Sequence, residues 1–196
     1  MLPPGFHFQP TDQELVVHYL CRWIHRMPLP CNAVEEADVY SQEPEALLHG
    51  RERAYFFTTL RTSSSGLRVQ RQARDGTWML NTSKTGTPVN VVCDNGDEVT
   101  VGYKRNLSFY LGKVKKCTGF VMDEYTLCAP PYDNNGTKLA CSFSIADPYT
   151  LQDQKVLCVI RQSPQAINNA AKRKREASSL SEISYADAKT DFFSFY

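Results

Sequence analysis

Residues 98–127 read EVTVGYKRNLSFYLGKVKKCTGFVMDEYTL, and this stretch decides the fold class. Aromatic and β-branched residues recur in it in short runs, which is typical of strands. Turn-forming Gly, Asn, Asp, Ser and Thr bound the runs, so we predict strands over 98–104, 106–111 and 119–127. Because no segment of helical period separates them, the three strands are expected to pair in an antiparallel sheet.

The same pattern continues on both sides of this stretch. The run YFFTTL over 55–60 is aromatic and β-branched, as a largely buried strand requires. The remaining candidate strands are 77–82, 89–93 and 155–161. A turn at Asp94-Asn95-Gly96-Asp97 separates two of the candidates.

Two helices are predicted before the strands. Thr11 and Glu14 have the spacing of a capping box, and apolar residues then recur at helical spacing to about Trp23. A second, short helix is predicted over 44–48, with Pro44 in its first turn and Gly50 just past its end. Helices followed by an antiparallel sheet make an α+β fold.

Composition excludes several classes of protein. The 196 residues are 42% hydrophobic, which is enough for one domain and argues against collagen, coiled coil or disorder throughout. No run of 18 apolar residues is present, and the polar N-terminal segment lacks the apolar stretch of a signal peptide. An intracellular protein without membrane contact is expected. Its seven scattered cysteines, none of them in a CxxC pair, are expected to be reduced.

Charge is unevenly distributed along the chain. The net charge of +1 divides into −4 for residues 1–60, +6 for 61–120 and −1 for 121–196. A basic segment of this kind is expected of a surface that binds a polyanion, because Lys and Arg displace counterions from phosphates. A solvated surface without a function accounts for the same charges, and charge alone leaves both readings open.

Metal and catalytic sites find little support. His18, Cys21 and His25 could share one helical face, but a fourth ligand is missing unless Cys31 folds back, so a solvated polar face is the better interpretation. Neither a nucleophile elbow nor a glycine-rich phosphate loop is present. We expect no metal, no cofactor, no small-molecule substrate and no enzymatic activity.

Residues 162–196 are predicted to form a disordered tail, because they lack a sustained apolar face. The tail contains four consecutive cations that a nuclear import receptor could bind: Lys172, Arg173, Lys174 and Arg175. The chain closes with aromatic residues beside an acid, Asp191–Tyr196, which could dock on a partner protein.

Several blocks of the sequence occur in a diagnostic order. Leu2–Val16 reads LPPGFHFQPTDQELV, and the blocks after it are Ala37–Tyr40 with Glu43-Pro44, Arg51–Phe57, Val101–Lys113 with Val121–Tyr125, and Val156–Ile160. In this order they resemble the NAC domain, a plant-specific family of transcription factors. The resemblance covers about residues 1–161 and identifies the chain as a divergent member.

The resemblance implies a twisted antiparallel β-sheet flanked by a few helices. It also implies dimerisation through the N-terminal block, a sheet edge placed in the DNA major groove, and neither cofactor nor catalysis. Residues 1–161 are accordingly expected to be the DNA-binding and dimerisation domain, followed by the tail at 162–196.

The segment that the resemblance places in the groove departs from the family pattern. Where the family has Trp-Lys-Ala-Thr-Gly, this chain has Trp78-Met79-Leu80-Asn81-Thr82. Trp78 is retained, as a packing anchor and as a member of the expected DNA-binding set, but a cation is lost and bulk is gained, which should weaken base contact. Asn81 and Lys84 could compensate, because Asn can pair with adenine and Lys can donate to guanine.

The expected phosphate contacts are better preserved. By resemblance and by their clustering in the basic segment, they are Arg68, Arg71, Arg74, Lys104, Arg105, Lys113, Lys115 and Lys116. Such contacts position a protein on DNA and carry little sequence information.

The expected dimer interface also departs from the pattern. It comprises Leu2, Pro3, Gly5, His7, Thr11 and Glu14. The family pairs an arginine with a glutamate across the two-fold axis, and here the matching residues are His7 and Glu14. Because histidine is mostly neutral above about pH 6.5, we expect a weak dimer that strengthens at lower pH. Alternatively, Glu14 serves only its capping box and His7 only packs.

Two functions follow from these expectations. The first is a nuclear, sequence-dependent transcription regulator that binds double-stranded DNA as a homodimer or as a heterodimer with other NAC proteins. The second is an interaction protein that pairs with intact family members but reads DNA poorly, and so acts as a negative regulator. Met79-Leu80 and the short tail favour the second, whereas the retained Arg68, Arg71, Lys104 and Arg105 favour the first.

Overall fold

The computed structural model of the chain describes residues 7–62, 69–113, 115–128, 155–164 and 166–167. The chain divides into two compact units, Met1–Arg161 and Gln162–Tyr196, and the architecture below is that of the first. The predicted tail lies outside the described residues except at 162–164 and 166–167. It stays a prediction, as does the function of the basic run 172–175.

One continuous helix begins the described fold. It consists of α1 (Asp12–Glu14), a π-helical segment (Leu15–Leu20) and α2 (Cys21–Ile24). The predicted capping box is confirmed: the Glu14 N–H donates to Thr11 Oγ1 at 3.2 Å, and the Thr11 N–H donates to Glu14 Oε2 at 2.8 Å. In the π-helical segment a backbone N–H donates to the carbonyl five residues earlier and not four, as the Cys21 N–H does to the Val16 carbonyl.

The predicted short helix is also confirmed, as α3 (Pro44–Leu48). Pro44 occupies the first turn, where its missing N–H costs nothing, and His49 ends the helix in the left-handed conformation. In the part of the chain that the structure describes, no helix has the length and apolarity of a membrane span.

Among the described residues, ten strands build the rest of the fold. In chain order they are β1 (Glu35–Glu36), β2 (Arg53–Thr59), β3 (Arg61–Thr62), β4 (Val69–Gln70), β5 (Gln72–Ala73), β6 (Gly76–Leu80), β7 (Thr87–Val92), β8 (Glu98–Leu111), β9 (Lys116–Leu127) and β10 (Lys155–Gln162). The main sheet has the order β1-β2-β10-β9-β8-β6-β5, with β7 also paired to β8, and β3 pairs with β4. Apart from the parallel β1–β2 pair, the pairings described between strands are antiparallel, which confirms the α+β fold class.

Two details of the strand prediction were wrong. The strands expected over 98–104 and 106–111 are a single strand, β8, because Asn106 does not break it. The Asn106 side chain donates to Asp123 Oδ1 at 2.7 Å on the neighbouring strand, so this polar residue is satisfied inside the sheet. The two-residue strands β1, β3, β4 and β5 were not expected, since such short pairings carry no periodic signal.

Each face of the sheet has its own apolar core. The continuous helix packs on one face, where Trp23 stacks on Phe57 with ring centroids 4.6 Å apart. On the other face α3 and Tyr40 pack with Trp78 and Phe109. Because both faces of the central strands are covered, β9 is buried from Met122 to Thr126, including Asp123 and Glu124.

Candidate nucleic-acid interface

The segment expected to read DNA lies at an edge of the sheet. β6 pairs with residues 107–111 of β8 and β7 pairs with residues 98–104, so that residues 81–86 connect two strands along the same edge of β8. β5 pairs with Gly76 and Thr77 of β6, and the Trp78 N–H donates to the Arg71 carbonyl at 2.9 Å, so pairing on the outer side of β6 reaches Trp78. Residues 81–85 are exposed, and the segment turns back at Gly86, whose φ of +82° favours glycine. An accessible chain segment therefore projects from the edge.

Side chains of β6 alternate between the core and the outer face. The Trp78 indole is buried, 5.0 Å from the Phe109 ring, and Leu80 packs against the same core cluster. Trp78 is thus the packing anchor of the segment, and its ring does not face solvent. The added bulk at Leu80 also lies largely inside, which leaves Thr77 and the half-buried Met79 on the outer face.

Exposed cations flank β6 at both ends. Before it, Arg74 lies in the tight turn from β5, and the Gly112 N–H donates to the Asp75 carbonyl at 3.0 Å. That bond brings the Arg74 turn next to the turn that joins β8 to β9, where Lys113, Lys115 and Lys116 are all exposed. After β6, Lys84 is exposed in the projecting segment.

Two of the expected phosphate contacts are ion-paired inside the fold with Glu124, which is 0% exposed. Arg71 donates to it twice, from Nε at 3.2 Å and from Nη2 at 2.8 Å. Arg105 Nη1 lies 3.5 Å from the same carboxylate, while Arg105 Nε donates to the Lys84 carbonyl at 2.7 Å. Burial acts to lower the pKa of Arg71, but hydrogen bonding and charge from Glu124 outweigh it and raise the pKa. Arg105 therefore connects the buried acid to the projecting segment.

Lys104 is ion-paired on the opposite face of the sheet. Its Nζ is 3.0 Å from Asp12 Oδ2, at the start of the helix, and 3.8 Å from Asp123 Oδ2. Tyr125 donates to Asp12 at 2.6 Å, and Arg161 Nη1 is 2.5 Å from Asp123. Burial first, and then hydrogen bonding to Asp12, raises the pKa of Tyr125. This network ties the helix to the sheet.

The structure therefore separates the expected site residues into two groups. Arg74, Lys84, Lys113, Lys115 and Lys116 are exposed, whereas the side chains of Arg71, Lys104 and Arg105 are ion-paired with Asp12, Asp123 and Glu124. Arg68 lies outside the described residues. Sequence reasoning missed Asp123 and Glu124, although two adjacent acids in an otherwise apolar strand signal buried carboxylates in need of cations.

The expected dimer block is described in part, since Leu2, Pro3 and Gly5 lie outside the described residues. His7, Glu14 and His18 line one surface groove of about 390 Å³, together with Tyr19 and Cys31. Hydrogen bonds from Thr11 hold the pKa of the exposed Glu14 below its usual range. Glu14 therefore carries a negative charge in this groove at neutral pH.

The residues weighed as metal ligands do not form a site. Cys21 is buried with its Sγ 3.7 Å from His25 Nδ1, whereas His18 is exposed. Among the described residues, no three His, Cys, Asp or Glu side chains are grouped as a metal site would need.

Comparison with known proteins identifies the family. A family model described as No apical meristem (NAM) protein matches residues 3–127. NAC domain-containing protein 68 of Oryza sativa subsp. japonica is 44% identical over 133 residues, which cover 64% of this chain and 40% of that protein. NAC transcription factor 56 of Arabidopsis thaliana is 36% identical over 178 residues, covering 87% of this chain and 46% of its own length.

A third relative extends the match along the chain. NAC domain-containing protein 55 of Arabidopsis thaliana is 36% identical over 189 residues, or 90% of this chain and 53% of its own length. The chain thus spans about two fifths to one half of the length of these three relatives. The chain belongs to the No apical meristem family, the family of NAC-domain proteins.

Proposed function

We propose that this chain is a nuclear transcription regulator that binds double-stranded DNA as a dimer. β6 and the segment after it lie at the major groove, with the flanking cations on phosphates. The dimer is formed by two copies of this chain or by one copy with another NAC protein. The basic run Lys172–Arg175 binds a nuclear import receptor. The proposed function includes no enzymatic activity.

The arrangement of β6 carries this proposal. Its five residues span about 13 Å at roughly 3.3 Å per residue, comparable with the major-groove width of about 12 Å. Exposed cations stand before and after this span, at Arg74 and Lys84. A sheet edge flanked in this way fits a groove bordered by phosphates on both sides.

Selection from a random-sequence duplex pool, at moderate and at high salt, tests groove reading by the full chain. Enrichment of a defined core that is lost when Asn81 and Lys84 are both replaced by Ala supports direct readout by the projecting segment. Arg53→Ala is the matched control, because Arg53 is exposed on β2, three strands away from β8 in the sheet. Binding that depends steeply on salt, without any enriched sequence, would contradict sequence reading.

One observation favours the second function, a dimerising partner that holds DNA weakly. Arg71, Lys104 and Arg105 bind acidic side chains of their own fold, so fewer cations remain for phosphates. Under this alternative the chain forms heterodimers with intact NAC proteins and lowers their affinity for DNA. Titrating the chain into an intact family member bound to its DNA site distinguishes the two, since a loss of the bound complex supports the alternative.

A further inference from the structure

Asn81 occupies a defined place at the proposed reading edge. It follows β6 directly, its N–H donates to the Asn106 carbonyl at 2.8 Å, and its side chain lies over β8. The side-chain Nδ2 donates to Asn106 Oδ1 and to Ser108 Oγ, both at 2.8 Å. An amide nitrogen has two hydrogens, so both donors of Asn81 are engaged within the fold.

The orientation of this amide is fixed from inside the sheet. Asp123 is 6% exposed and lies beside Arg161 and Lys104, so its carboxylate accepts hydrogen bonds and donates none. Asn106 must therefore turn its Nδ2 towards Asp123, where it donates to Oδ1 at 2.7 Å. Its Oδ1 then faces Asn81 and can only accept. Each amide in this relay has one orientation that satisfies its partners.

The relay leaves the side chain of Asn81 with one free polar atom, the amide oxygen Oδ1. Asn81 is exposed, and no described residue donates to this oxygen. A bidentate contact with adenine requires Asn to donate to N7 while it accepts from N6. Asn81 has no donor to offer, so the adenine contact expected from the sequence is reduced to a single acceptor.

We infer that Asn81 is a specificity-determining residue whose Oδ1, oriented by Asp123 through Asn106, selects bases that present an amino group in the major groove. These bases are cytosine and adenine, whereas guanine and thymine present acceptors at the corresponding positions. The inference rests on the proposed function, in that it requires this edge to enter the groove. Asp123 and Asn106 are positioning residues that act through Asn81.

The orientation of the amide can be tested without DNA. In ¹H–¹⁵N spectra of the full chain, the Asn81 side-chain signals are identified by their loss in Asn81→Ala. We expect two separated, slowly exchanging protons that move towards free-amide positions in Asn106→Val. Asn90→Val is the matched control, because Asn90 is a strand residue that donates to another carboxylate, Glu98 at 2.9 Å. Free-amide signals in the unaltered chain would overturn the relay.

The base preference is tested by selection from a random duplex pool with the unaltered chain and Asn81→Ala. We expect one position that takes cytosine or adenine several-fold over guanine or thymine, and this preference is lost in the variant. Three results would overturn the inference: guanine or thymine at that position, adenine with cytosine excluded, or a motif that Asn81→Ala leaves unchanged. If no sequence is enriched, base selection fails together with the proposed function, and the amide signals still decide whether the relay exists.

Discussion

Arg71 and Glu124 form a two-point ion pair inside the fold, with donor–acceptor distances of 2.8 and 3.2 Å. The Glu124 side chain is inaccessible to solvent and that of Arg71 is 13% exposed. The same carboxylate accepts from the Tyr40 hydroxyl at 2.6 Å. The pair therefore joins Arg71, beside the proposed reading edge, to a strand and a loop that lie deep in the core.

Removing the arginine from this pair should destabilise the fold strongly. In Arg71→Ala the buried charge of Glu124 keeps the hydrogen bond from Tyr40 and, as a cation, only the more distant Arg105, and we expect a loss of about 3 kcal/mol in the free energy of unfolding. Denaturant titration measures this loss. Arg74→Ala, an exposed arginine three residues away, should change the same quantity by less than about 0.5 kcal/mol. Equal effects in the two variants would contradict a structural role for the pair.

Alkaline pH should unfold the protein through its buried tyrosines. Burial is the largest cause that raises the pKa values of Tyr40 and Tyr125 above the usual value of about 10. The unfolded chain ionises near pH 10 while the folded chain stays protonated, so stability is complete below that pH and falls as the pH rises above it. Circular dichroism of denaturant unfolding between pH 8 and 11, in roughly half-unit steps, measures the decline.

Tyr125→Phe separates this effect from other alkaline titrations. The variant loses the hydrogen bond to Asp12 and should be less stable by about 1 kcal/mol at pH 8. Its stability should then decline less steeply above pH 10, because one raised pKa has been removed. A decline as steep as that of the unaltered chain would show that other groups govern alkaline unfolding.

Dimerisation should depend on the charge of His7. Glu14 binds Thr11 through Oε2, so its Oε1 remains for a partner's cation, and the lowered pKa of Glu14 keeps it ionised. We expect sedimentation equilibrium to give a tighter dimer below about pH 6.5, and His7→Arg to give a dimer that is tight both just below and above that pH. His18→Gln is the control, because His18 is a second histidine that lines the same groove. A dimer constant that is insensitive to pH would contradict this pairing.

The salt dependence of DNA affinity should show whether the exposed lysines between β8 and the start of β9 contact phosphates. If Lys113, Lys115 and Lys116 contact phosphates, each Ala substitution should lower the slope of log affinity against log salt by about 0.9. Fluorescence anisotropy with a labelled duplex, over a range of salt concentrations, measures the slope. Arg53→Ala on β2 should leave it unchanged, and an unchanged slope in the triple lysine variant would place the phosphate contacts elsewhere.

Local chemistry made part of this fold predictable. The capping box of Thr11 and Glu14, the short helix at Pro44 and the principal strands follow from residue types a few positions apart. The continuity of β8 was not predictable, because Asn106 reads as a boundary until its partner on β9 is known. The parallel pairing of β1 with β2 was not predictable, because a strand of two residues is too short to show an alternating pattern.

The sequence predicts which cations belong to the candidate site, but not which acidic residues those cations pair with. The exposed lysines lie in the basic segment, in connections between strands and at the first residue of β9. The partners of Lys104 and Arg71 are 92 and 53 positions distant, so their ion pairs could not be seen in the sequence. The sequence therefore predicts Lys104 and Arg71 as phosphate contacts without showing that each also pairs with an acid of its own fold.

The π-helical segment Leu15–Leu20 sets the direction in which the side chains after it leave the helix. A π-helical turn holds one residue more than an α-helical turn, so if this segment became α-helical without losing a residue, everything after it would rotate by about 100° relative to the capping box. Trp23 would then leave the face on which it stacks against Phe57. The π-helical segment therefore determines which residues of α2 face the sheet. A one-residue deletion within Leu15–Leu20 should therefore be less disruptive than one in α2, because it can turn the π-helical segment α-helical.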